Sequence, residues 1–195
     1  MEKSLRKAFE KHHKVLLEAW FQQVIHSYPP ESVKYFERYK ETFNNPIGSN
    51  IYNSLNNILL EFEGAGRYEQ FYQEMQMIMR IRAVQDMTPS KEVAFIMAFK
   101  DVVKKELAGE LAHNEITSSE LEDFFEELDA LALMGFDIYT ESRELIFKMR
   151  IDQIKETNDM LQKANLLNES IDISTFMRCS NYMDMENIQK EEKGE

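Results

Sequence analysis

The alternation of apolar and polar positions along the chain predicts helices throughout. Over residues 3–27, Leu5, Phe9, Leu16, Trp20 and Val24 recur near one side of a 3.6-residue spiral. That helix stops ahead of Tyr28-Pro29-Pro30, because a residue preceding proline is pushed out of helical geometry. A short helix over 31–40 is expected next. Asn45 as N-cap and Pro46 in the first helical position open a third helix. It runs through Ile51, Leu55, Ile58, Leu59 and Phe62 to a stop at Gly64 and Gly66. A fourth, over 67–86, carries Phe71, Met75, Ile78, Ile81 and Val84. Thr88-Pro89 repeats the cap-and-proline device and begins a fifth, with Val93, Phe95, Ile96, Phe99, Val102 and Val103, expected to end at Gly109. Thr117 followed by Glu120 is a capping box. The helix it starts aligns Leu121, Phe124, Phe125, Leu128 and Leu131, with Gly135 read as its end.

From about 137 to 167 neither Gly nor Pro intervenes and the spacing changes. Phe147, Ile151, Ile154, Asn158 and Leu161 alternate steps of four and three, a heptad seam with one polar member. A lone Asn at such a position can fix register and oligomer state. An ordinary amphipathic helix fits the same short stretch. Past 168 the chain turns polar and closes in a charged run, which predicts a flexible tail over 169–195. The division expected is a helical domain over 1–140, an extended helix over 141–168 and that tail.

Six Gly and four Pro, nearly all at boundaries, fit an all-α chain. The N-terminus lacks the apolar segment of a signal peptide and no apolar run could span a bilayer, so a cytoplasmic location is expected. Cys179 stands alone, which excludes an internal disulfide. The net charge of −12 argues against nucleic acid as partner. The excess is regional. No Lys or Arg lies between Lys105 and Arg143, while that stretch holds eleven acids; the remainder carries 35 − 11 = 24 acids against 23 bases. One outward helix face accounts for this, with a basic partner as the specific alternative.

Two stretches carry a family likeness. One holds Trp20, Tyr28-Pro29, Phe36, Phe43 and Asn45-Pro46-Ile47-Gly48; the other holds Arg80-Ile81-Arg82-Ala83-Val84-Gln85, then Pro89-Ser90, Ala94-Phe95 and Lys100. Together they resemble the N-terminal sensor domain of RsbRD, a co-antagonist of the stressosome kinase RsbT, over roughly residues 15–135. The resemblance implies a non-catalytic signal-input domain with a globin-like, non-haem helical fold, six or seven helices in all. It implies kinase or STAS-type protein partners and a homodimer. Relatives join this domain by a helix to a phosphate-accepting STAS domain. The residues after 168 are too few for one, so a free-standing sensor or adaptor is expected here.

The motifs admit more than one reading. Arg80 and Arg82 lie two apart and cannot share a helix face, whereas Arg82 can reach Gln85 or Asp86. Either arginine could hold an anion or a partner carboxylate beside the helix start at Pro89-Ser90, or an internal ion pair could pin the corner between the fourth and fifth helices. Asn45-Pro46-Ile47-Gly48 could shape a ligand loop, or cap a helix whose Gly48 admits a close helix neighbour. Glu10…His13 and Glu110…His113 match the Glu-x-x-His pairs of di-iron carboxylate bundles, with Glu18, Glu61 and Glu106 as further ligands, and so define an oxidoreductase alternative. An adaptor for a redox complex, docking through the acidic helix, is a third. Haem would need an apolar pocket behind His26 or His113, and their polar surroundings do not provide it. Met75, Met77 and Met79 cannot all face one way, so at least one is expected at the surface. Gly-x-Ser-x-Gly, P-loop and dinucleotide motifs are absent from the sequence. The expected protein therefore has no catalytic, metal or cofactor residues.

Overall fold

The computed structural model describes residues 3–38, 44–64, 67–85 and 87–163. Among them the regular structure is all helical: α1 (Lys3–Ile25), α2 (Pro30–Phe36), α3 (Pro46–Glu63), α4 (Tyr68–Ala83), α5 (Pro89–Glu106), α6 (Ala108–Ala112) and α7 (Ser118–Lys163). The chain divides into two compact units after Ile146, so the last turns of α7 belong to the second. The expected tail, Cys179 included, lies outside the described residues.

In the first unit α1 packs against α3 and α5, and α3 against α4. Leu5, Phe9, Leu16, Trp20 and Val24 are all fully buried, as their spacing predicts. Trp20 stacks on Phe99 at 4.1 Å, and its indole N–H donates to the Phe95 carbonyl at 3.0 Å, so no polar atom of the ring is stranded. Phe124 brings α7 into the same core, with ring centroids 5.0 Å from both Phe9 and Phe62. Met75 and Met79 are buried and Met77 is exposed, as their spacing requires.

Two helix boundaries and one cap differ from the sequence pattern. Helix α7 does not stop at Gly135. A Cβ there would lie 2.8 Å from Ile96 Cδ1 and 2.9 Å from Met79 Cε, so this glycine lets α7 approach α4 and α5 closely. Helix α5 ends at Glu106 rather than Gly109; buried Leu107 leaves helical geometry at ψ 15°, and Gly109 falls inside α6. Pro89 begins α5 as expected, but the Thr88 side chain does not cap it; its hydroxyl lies 3.2 Å from Ser90 Oγ instead. The capping box at α7 forms in both directions. Thr117 N–H donates to Glu120 Oε2 at 2.6 Å, and Glu120 N–H donates to Thr117 Oγ1 at 3.2 Å. Ser4 Oγ also donates to Glu120, tying α1 to the start of α7.

The cap of α3 has a further partner in its own glycine. Asn45 is fully buried; its Oδ1 accepts from Gly48 N–H at 2.8 Å, and its amide donates to the carbonyls of Tyr35 (2.8 Å) and Phe36 (3.3 Å). One side chain thus closes the end of α2 and opens α3. Gly48 does not serve a neighbouring helix, as the sequence suggested: a Cβ would meet Asn45 Nδ2 at 2.3 Å. Asn45→Ala should cost about 1–2 kcal/mol by urea unfolding. Gly48→Ala should be destabilising alone, yet neutral or mildly stabilising in the Asn45→Ala background, where the obstruction is gone and alanine's helix propensity counts. Additive losses would show that Gly48 answers to something other than Asn45.

Candidate functional site

The arginine motif converges on the corner between α4 and α5. Arg82 ends α4 fully buried, with its Nε 2.7 Å from Glu92 Oε2 and donating to the Glu92 carbonyl at 2.9 Å. Its Nη2 donates to Ser27 Oγ at 3.1 Å and to the Lys91 carbonyl at 3.3 Å. The guanidinium lies between two rings, 5.1 Å from the centroid of Tyr28 and 5.2 Å from that of Phe95. The ion pair expected to pin the corner between the fourth and fifth helices is thus present, with Glu92 on α5 as the partner of Arg82; Asp86 lies outside the described residues. Arg82 takes Glu92 because α5 folds back over the end of α4, a proximity that no helical spacing encodes.

Helix α7 fastens this corner from the other side. Arg143 Nη1 donates to the carbonyls of Ala83 (3.2 Å) and Gln85 (3.3 Å), placing a cation at the C-terminal end of α4, where free carbonyls accumulate. Tyr139 Oη donates to the Met87 carbonyl at 3.4 Å. Glu92, also fully buried, has its carboxyl pushed above the ordinary range by burial, opposed by Arg82 and Arg143. Burial likewise raises the Tyr28 phenol. Tyr28 Oη, Arg82 Nη1 and Glu92 Oε1 have no hydrogen-bond partner among the described residues.

The other motif residues lie apart. Arg80, Pro89 and Ser90 are exposed, and Gln85 is half-buried beside the Arg143 guanidinium. Asn45, Pro46 and Gly48 sit at the junction of α2 and α3. Sequence reasoning missed Glu92, Tyr28 and Arg143. The sequence marks Tyr28 as a helix stop and as part of the family likeness but not as a partner of Arg82, and Glu92 sits in an unremarkable first helical turn.

Neither Glu-x-x-His pair assembles. Glu10 is exposed, and His13 instead places Nδ1 2.6 Å from Glu63 Oε1 and Nε2 3.0 Å from Asn56 Oδ1. Glu110 is buried against α1, where its Oε1 accepts from Lys11 Nζ at 2.8 Å and lies 2.6 Å from His12 Nε2. His113 is exposed and turned to the Gly109 carbonyl, and His26 is exposed beside the Gln22 carbonyl. Among the described residues no three His, Cys, Asp or Glu side chains gather as a metal would require.

The Lys11 hydrogen bond, and after it His12, hold Glu110 down at about 2 from its ordinary 4.5. A carboxyl lowered on folding stabilises fully above 4.5 and loses that contribution as pH falls towards 2. Lys11 is well exposed, so solvent screening reduces the effect to about 1–2 kcal/mol. Glu110→Gln should lose that much at pH 7 and flatten the acid limb of a stability–pH curve. An unchanged limb would refute the assignment.

Most of the regional acidity faces water: Glu115, Glu122, Asp123, Glu126, Glu127, Asp129, Asp137 and Glu141 are exposed. A groove of about 580 Å³ opens between α1, α3, α4 and α7, lined in part by Phe62, Phe71 and Leu131.

The buried corner and the capped α2–α3 junction both fall within residues 14–154, and those residues match the family model of the RsbT co-antagonist protein rsbRD N-terminal domain. The chain belongs to the RsbRD N-terminal domain family. No curated protein and no solved structure matches it. This family is one of sensory and regulatory domains related to the stressosome, generally without catalysis. The match runs past Ile146 and takes in Phe147, Ile151 and Ile154 of the seam. In the second unit Ile151, Ile154, Asn158 and Leu161 are half-buried, while every described residue between them is exposed; Phe147 is 43% exposed. Among the described residues no helix is long and apolar enough to cross a membrane.

Proposed function

We propose that this RsbRD-type chain is a non-catalytic, cytoplasmic signal-input module of the stressosome kind, acting through protein contacts and dimerisation. Its partners are kinase or STAS-type regulators. Residues 1–140 form the sensor, with a globin-like arrangement that needs no haem, and α7 from 141 to 163 forms the output helix; the expected remainder, 164–168, lies outside the described residues. The observation that carries this reading is the reach of the family match from the first helix into the seam on α7. Asn45, Pro46, Gly48, Arg80, Arg82, Gln85, Pro89 and Ser90 maintain or present the sensor. Phe147, Ile151, Ile154, Asn158 and Leu161 form the dimer seam, with Asn158 setting its register. A signal acts by favouring one of two packings of the domain, and the dimer seam reads out the choice.

Sedimentation of the full chain over a wide concentration range tests the dimer. Ile151→Glu with Ile154→Glu should weaken self-association by at least about tenfold, because two apolar side chains leave the seam. A chain that stays monomeric at every concentration rejects the proposal. Co-sedimentation with RsbT tests the partner; no interaction in either oligomeric state removes the kinase from the reading.

A further inference from the structure

The groove between α1, α3, α4 and α7 has the composition of a ligand site. Its lining is partly aromatic: the Phe62 and Phe71 rings lie 5.0 Å apart, and Phe62 also packs edge-on against Phe124 at 5.0 Å. Tyr68 and Leu133, 68% and 70% exposed, stand at the mouth. The volume of about 580 Å³ falls inside the roughly 300–1,000 Å³ typical of small-molecule pockets.

Charge decides the class of occupant. The lining carries Glu61, Glu127 and Asp137 against a single cation, Arg6. Glu61 is already held by Arg67 at 2.7 Å, and Arg6 and Glu127 each have interactions of their own. Asp137, on α7 one turn beyond Leu133, forms no ion pair among the described residues. Aromatic rings and a carboxylate without an ion pair in one lining suit an ammonium on an apolar body: the body packs on the apolar lining, and the cation meets Asp137. An anion would face three carboxylates, and a purely apolar ligand would desolvate Asp137 without return.

We propose that this groove binds a small organic cation with an aromatic or branched hydrocarbon body. Such a ligand touches α7 over residues 130–137. The inference deepens the signal-input reading by naming a ligand class, but binding requires no kinase and no dimer, so either can fail alone.

Calorimetry on the full chain tests it with three probes sharing one ring: benzyltrimethylammonium, benzyl alcohol and phenylacetate. The ammonium should bind at least about tenfold tighter than phenylacetate, with benzyl alcohol between. Asp137→Asn, at an exposed position that should leave the melting temperature unchanged, should weaken the ammonium about fivefold and leave benzyl alcohol unaffected. Labelled Met134 methyl signals should shift on binding. Glu122→Gln, on the acidic face of the same helix but outside the groove, should change nothing. Equal affinities for the three probes, or no binding at millimolar concentration, overturn the proposal. So does an equal loss in Glu122→Gln, which would assign the attraction to the general field of the acidic helix.

Discussion

Replacing Arg82 with Met should lower the unfolding free energy by about 3–5 kcal/mol, the largest loss expected from any single change in a charged side chain here. Arg82 and Glu92 are both fully buried, so the variant leaves a carboxylate in a dry site. It also removes donors to Ser27 and to the Glu92 and Lys91 carbonyls. Removing both charges, as Arg82→Met with Glu92→Leu, should restore much of the loss, because the desolvation cost goes with them. The pH dependence has a definite sign. Burial already raises Glu92 above its ordinary 4.5, and without Arg82 nothing but Arg143 opposes that rise. A carboxyl raised on folding binds its proton more tightly in the native state, so its stabilising effect is full below 4.5 and is lost as pH climbs through the raised value. Urea unfolding of Arg82→Met should therefore show a smaller deficit at pH 5 than at pH 8. The opposite slope would mean that Glu92 reaches solvent in the variant.

Phe124→Ala should cost a similar amount, about 3–5 kcal/mol, by a different route. The ring is fully buried and lies edge-on to Phe9 and Phe62 at 5.0 Å and to Phe99 at 6.4 Å, so truncation opens a hole bordered by rigid rings that cannot collapse into it. Phe124→Leu should be markedly milder, since it fills most of that space. With total stabilities of about 5–15 kcal/mol for ordinary domains, the alanine variant should be measured cold. Its urea midpoint should fall while the dependence on urea stays unchanged. A loss below about 1 kcal/mol would contradict the packing of α7 on this cluster.

What the sequence revealed and what it concealed divide by range. Asn45 before Pro46 and Thr117 before Glu120 act within four residues, and both caps form where the pattern puts them. Apolar periodicity likewise placed Leu5, Phe9, Leu16, Trp20 and Val24 in the core. Glycine was ambiguous, because the lack of a side chain serves a helix end and a close approach equally well. Gly64 ends α3, while Gly135 sits in mid-helix against Ile96 and Met79. The sequence suggested an ion pair at the corner of Arg82, but the partners in the polar pairs were illegible. Arg82 with Glu92, Glu110 with Lys11, and His13 with Glu63 each join different helices, and partner choice there follows from tertiary closure. The groove was invisible for the same reason, since its lining comes from four separate helices.

The burial of Arg82 bears on how such a motif is to be used. A signature residue is commonly taken as a pointer to chemistry shared among its bearers. Here its guanidinium is spent on closing a bend in the chain, out of reach of solvent. In this chain the arginine is therefore a fastening of the fold, and whatever the domain detects must be recognised by other side chains.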